Sequence, residues 1–183
     1  MRQKILSVIT ALALCLSLLP GAALAAGESI DGSWTDGLLE APEGWSESED
    51  GNTITITTPE ALAWLAVLVN NKDFTEVEDN PTYQKTVVLG ADLDLGGKEW
   101  IPIGNRKLGK QTVNAFAGSF DGNGYTISRL TISDSDSGEC IGLFGNVYLN
   151  NSGFLRDVTV EDAEITVDRF TNIGVLAGQV LGS

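Results

Sequence analysis

The sequence predicts a mainly β fold of the solenoid kind: a coil that turns repeatedly around a narrow core, opened by one short helix. Three observations carry this. The alternation of apolar and polar residues slips phase at Ser128-Arg129 and again at Glu161-Asp162. A short motif at 141–147 returns at 173–180. A single segment, 59–70, has apolar residues at helical spacing.

The chain opens with a segment that does not belong to the fold. Arg2 and Lys4 precede an apolar run from Ile5 to Leu19, Pro20-Gly21 breaks it, and Ala23-Leu24-Ala25 supplies small residues for cleavage. This is the pattern of a secretory signal peptide over 1–25, too short in its apolar core to span a bilayer. Cys15 follows Leu14 where lipidation needs a small residue, so cleavage after Ala25 is expected. Residues 26–53 hold Trp34 and Trp45 among Gly, Glu, Asp and Ser, and read as an irregular leader or linker.

After it, Ile54-Thr55-Ile56-Thr57 alternates like a half-buried strand. Thr58 then suits an N-cap, Pro59 the first helical position and Glu60 the first turn. Ala61, Leu62, Leu65, Leu68 and Val69 fall on one helical face, and the helix ends near Asn70-Asn71. So apolar a helix must bury much of its surface, which suits a cap.

From Lys85 the period becomes two. Val87, Leu89, Ala91, Leu93 and Leu95 share one face of a strand, with Asp92 and Asp94 on the other. Farther on, Tyr125 and Ile127 are in one phase and Leu130 and Ile132 in the next. Val158 and Val160 give way in the same manner to Ala163, Ile165 and Val167. A straight strand would turn its apolar side outward at such a slip, so each slip marks a bend or bulge. "IGLFGNV" at 141–147 recurs as "IGVLAGQV" at 173–180, and "RLTIS" at 129–133 is echoed by "DVTVE" at 157–161. The offsets are 28 and then 32 or 33 residues, a period range that signals stacked repeats.

These elements resemble exported bacterial surface and adhesin-like proteins carrying the GLUG motif. The match lies in "IGVLAGQVLGS" (173–183) with "IGLFGNV" as its degenerate partner. "ADLDLGGKEWIPIG", "FAGSFDGNGYTISRLTI" and the helix "PEALAWLAVLVN" precede them in the family's usual order. The resemblance covers roughly 54–183 and implies a right-handed parallel β-helix with a short N-terminal capping helix. The family supplies no catalytic residues. The repeat stops inside its motif at Gly182-Ser183, as expected of an N-terminal part of a longer protein.

Composition narrows the chemistry. The chain has 11 basic and 25 acidic residues and no histidine. Loss of residues 1–25 would remove two of the basic ones and none of the acidic. So acidic a surface repels nucleic acid and anionic membranes, and no membrane association is expected after signal cleavage. Lack of histidine excludes a Ser-His-Asp triad, a Cys-His pair and an HExxH zinc site. Only Cys140 would survive cleavage, so no intrachain disulfide forms; beside Ile141 it reads as a small buried residue.

The turn "FDGNG" (120–124) admits three readings: a coil corner, a hairpin turn, or a calcium loop with Asp121 and Asn123 as ligands. Asp134 and Asp136 in "SDSDSGE" are a second calcium candidate against a solvated loop. "GNRKLGKQ" (104–111) has phosphate-loop spacing, but Gln111 stands where magnesium needs Ser or Thr, and the segment reads as an exposed basic loop. Asp92, Asp94 and Asp121 could form a carboxylate cluster of a glycosidase or polysaccharide lyase; solvation and turn formation are their other roles. No cofactor is expected apart from calcium. The function expected is a non-catalytic exported structural or adhesive module, secreted or attached to the bacterial cell surface. It would bind a host or matrix protein or a glycan through loops 105–114 and 134–140. The alternatives are a carbohydrate-active enzyme on the same scaffold and a glycan-binding module using Trp34, Trp45 or Trp100.

Overall fold

The computed structural model describes residues 33–70, 77–105, 114–133, 139–150, 152–168 and 172–182. The signal segment 1–25, Asp134, Asp136 and most of loop 105–114 lie outside the described residues. Among the described residues the fold is mainly β with one α-helix and several short sheets.

Part of the expected leader is folded. Strand β1 (Trp45–Glu47) pairs antiparallel with β2 (Thr53–Ile56). Their turn is held by Asp50, whose Oδ1 accepts hydrogen bonds from Ser48 Oγ and the Asn52 N–H. Helix α1 (Pro59–Asn70) starts as its sequence dictates, with the Ala61 N–H donating to Thr58 Oγ1 at 3.2 Å. It buries Ala61, Leu62, Ala63, Leu65, Ala66 and Val69 in the common core, while Leu68 is half-buried. At the other end Asn70 Oδ1 accepts from the Gly104 and Asn105 N–H groups, and its Nδ2 donates to the Pro102 carbonyl. The helix end is therefore tied to the chain on either side of Ile103.

Twelve further strands follow. They are β3 (Thr86–Leu89), β4 (Leu93–Asp94), β5 (Ser119–Asp121), β6 (Thr126–Ser128), β7 (Thr131–Ile132) and β8 (Cys140–Ile141). After them come β9 (Phe144–Leu149), β10 (Leu155–Arg156), β11 (Thr159–Glu161), β12 (Glu164–Ile165), β13 (Asn172–Ile173) and β14 (Ala177–Gly182). All of their pairings are parallel. One sheet runs β1-β2-β3-β5-β10, a second runs β11-β6-β4, and β12-β7, β13-β8 and β14-β9 complete the set. The chain thus visits the sheets in one order through β5 to β9 and again through β10 to β14. Register is continuous across rounds: Ile54 faces Val87, Val87 faces Phe120, and Phe120 faces Leu155.

The inward residues of these columns form the core. Phe116, Phe120 and Phe144 cluster with ring centroids 5.1–6.4 Å apart. Trp100 is fully buried, and its Nε1 donates to the Leu143 carbonyl at 3.1 Å. The last round is more open, with Ile173 and Val180 each 52% exposed. Among the described residues no helix is long and apolar enough to cross a membrane.

The structure answers the question of the 120–124 turn. β5 and β6 flank it yet belong to different sheets, so it is a corner and not a hairpin. Asn123 and Gly124 adopt φ values of 52° and 79° there. The two expected phase slips fall on Arg129 (φ 56°) and Asp162 (φ 51°). Two readings need correction. The segment from 85 to 95 is two strands, β3 and β4, with a break at Gly90–Asp92. The 28-residue echo of "RLTIS" is not structural: Thr131-Ile132 pairs with Glu164-Ile165, and "DVTVE" lies beside 126–128 instead.

Candidate functional site

Among the described residues a surface groove of about 470 Å³ lies where β3, β5 and β10 begin. Tyr83, Gln84 and Thr86 border it on the approach to β3, and Ala117, Gly118 and Ser119 on the approach to β5. Asn150, Ser152 and Phe154, ahead of β10, close the third side. None of these described lining residues is charged.

Local hydrogen bonding fixes the groove. Asn80 Oδ1 accepts from both the N–H and the Oγ1 of Thr82, and Asn80 Nδ2 donates to the Ala115 carbonyl at 2.7 Å. Thr82 Oγ1 in turn accepts from the Ala117 N–H at 3.0 Å. These groups are buried and satisfied, so they hold the two turns together. A Cβ on Gly118 would sit 2.6 Å from the Thr82 carbonyl oxygen and 2.7 Å from that of Lys85; only glycine lets these backbones approach. On the far side Asn150 Oδ1 accepts from the Ser152 N–H, and Arg156 stacks its guanidinium 4.4 Å from the centroid of the Phe154 ring.

The acidic candidates do not converge. Asp121 Oδ1 accepts from the Asn123 N–H, and Arg156 Nε donates to Oδ2 at 2.9 Å. Arg129 Nε donates to Asp94 Oδ1 at 2.6 Å, and Asp94 also accepts from the Gly96 N–H. Asp92 Oδ1 accepts from the Thr126 N–H at 2.8 Å. Hydrogen bonding from Arg156 holds the Asp121 carboxyl below the usual carboxylate range, and Arg129 does the same for Asp94. Groups held ionised in this way are poor general acids. Asn123 Nδ2 donates to the Leu89 carbonyl. Both calcium candidates in the described corner therefore serve the joint between rounds, and among the described residues no three carboxylate or thiol groups come together as a metal site.

The tryptophans divide. Trp100 lies wholly inside the core and offers no face to a sugar, a correction to the reading of it as a binding platform. Trp34 is half-buried, donates from Nε1 to the Leu95 carbonyl and carries Lys98 Nζ 5.0 Å from its ring centroid. Trp45 is half-buried on β1 with Nε1 3.4 Å from Glu47 Oε1. Cys140 is buried beside Gln179 and Asn172, as expected of a small core residue. The Oδ1 atoms of Asn105, Asn114 and Asn146 are buried with no protein partner among the described residues, the sort of acceptor that ordered water satisfies.

Sequence reading missed the groove. Thr86 and Ser119, two of its polar lining residues, are neighbours only once the register is known.

Comparison with known proteins gives two partial likenesses. Over 147 residues the chain is 31% identical to halomucin of Haloquadratum walsbyi, covering 74% of this chain and 2% of that protein. Over 95 residues it is 37% identical to a Gly-rich membrane protein of Evansella cellulosilytica, covering 51% of this chain and 10% of the relative. No family model and no solved structure matches it.

Proposed function

We propose that this chain is part of an exported, non-catalytic surface module of the GLUG-motif kind, a right-handed parallel β-helix with a capping helix at its N-terminal end. Its mechanism is mechanical: stacked coils form a stiff body, and the loops on its sides meet a partner. The carrying observation is the repeated order of parallel pairings, β5 to β9 and then β10 to β14, at a spacing of 32 to 35 residues. Parallel crossover connections are overwhelmingly right-handed, which supports the hand. The engagement of Asp94 and Asp121 by arginines supports a structural use of these carboxylates. The relatives' names, a halomucin and a membrane protein, support a surface setting.

The test is to incubate the purified chain with neutral and acidic polysaccharides, with and without calcium, and to assay for new reducing or unsaturated ends. No turnover is expected under any condition. Turnover that disappears in Asp92→Ala or Asp121→Ala would replace this reading with that of a carbohydrate-active enzyme.

A further inference from the structure

We propose that the groove between Tyr83 and Phe154 binds an uncharged glycan chain, an inference that rests on the non-catalytic surface reading and names its ligand class. Binding sites of this kind combine a few fixed polar groups with aromatic surface. Gln84, Ser119, Asn150 and Ser152 supply amide and hydroxyl groups that match sugar hydroxyls as both donors and acceptors. Tyr83 and Phe154 supply two half-buried rings at the rim. The negative face of such a ring attracts the weakly positive C–H groups of a pyranose; Arg156 occupies one face of Phe154, so the sugar would meet the other.

Charge separates this ligand from others. The whole chain carries a net charge of −14, which opposes polyanions; no described lining residue is cationic, and Arg156, which lies on the Phe154 ring, is already paired with Asp121. A cationic ligand would find no carboxylate among those lining residues, so its desolvation would go uncompensated. An uncharged chain meets neither obstacle. Pre-organisation is built in, because the Asn80–Thr82–Ala117 bonds and the close approach at Gly118 fix the floor before any ligand arrives. The groove also crosses three rounds, which favours an extended ligand of several units over a monosaccharide.

The experiment is calorimetric titration of the purified chain with cellohexaose and maltohexaose, with oligogalacturonate and a polyproline decapeptide in parallel. At least one neutral hexasaccharide is expected to bind. Phe154→Ala should weaken it by about tenfold, the scale of a lost aromatic contact. Ser152→Trp provides a second variant: Ser152 is exposed and bonds Asn150 through its backbone, so a bulky side chain obstructs the groove without touching the core. It should abolish binding with an unchanged melting temperature. Absence of binding by either neutral sugar overturns the proposal, as does binding that survives Ser152→Trp. Capture of oligogalacturonate or polyproline in place of the neutral sugars also overturns it. Cleavage of a bound hexasaccharide would remove the non-catalytic reading and leave the groove assignment standing. Silence in both assays would do the reverse.

Discussion

Asp121 shows how one residue can serve a corner and a joint together. One carboxylate oxygen shapes the 121–123 turn, while the other accepts from an arginine 35 positions later, one round on. The Asp94–Arg129 pair repeats the arrangement at the same separation. Because Arg156 lowers the Asp121 pKa on folding, the stabilisation is present above the ordinary carboxylate value of about 3.8 and is lost as pH falls through the folded value. Asp121→Asn keeps the turn acceptor and loses the charge. It should melt a few degrees below the parent at pH 6, and the gap should close as pH falls below the ordinary carboxylate range. Thermal melts across that range read the difference; a gap that stays constant would show that the ion pair contributes nothing. Asp94 was visible in the sequence as an outward-facing strand residue and Asp121 as a turn residue. Their arginine partners were not, because a pair 35 positions apart becomes adjacent only when the length of a round is known.

At the scale of elements, corners were legible where they disturbed the alternation. The Leu130 and Asp162 regions each shift inward residues from one phase to the other, and the structure puts Arg129 and Asp162 in left-handed backbone at those points. The corner at Gly90–Asp92 left no such mark. Val87, Leu89, Leu93 and Leu95 are all buried and keep an even spacing straight through it, so two strands looked like one. The false 28-residue echo has a related cause: short runs of β-branched residues resemble one another whatever their register. Positive φ at a corner has an energetic consequence. Asp162 is exposed at φ 51°, a conformation that Asp and Gly tolerate and β-branched residues resist. Asp162→Val should lower stability by about 1–2 kcal/mol, whereas Asp162→Gly should stay within about 0.5 kcal/mol of the parent. Urea denaturation midpoints distinguish them, and equal midpoints would place Asp162 in ordinary backbone.

At the scale of the whole molecule, burial among the described residues is graded along the parallel pairs. Phe120, Ile127 and Ile132 are fully buried in the round from β5 to β9, while their partners Leu155, Val160 and Ile165 are half-buried one round later. Burial thus falls from β5–β9 to β10–β14, and α1 contributes to the same core near the other end of the sequence. The groove belongs to this scale as well, since its three sides come from three rounds and no single segment of sequence contains it. Parallel stacking is therefore the claim on which the surface-module reading and the groove both depend. Nuclear Overhauser spectroscopy on isotopically labelled protein tests it most directly. Stacking places backbone contacts between Ile54 and Val87, Val87 and Phe120, and Phe120 and Leu155, with no close Hα–Hα contact between Asp121 and Thr126. Strong Hα–Hα contacts across the 122–125 turn, with the long-range series missing, would mean an antiparallel hairpin and contradict the account.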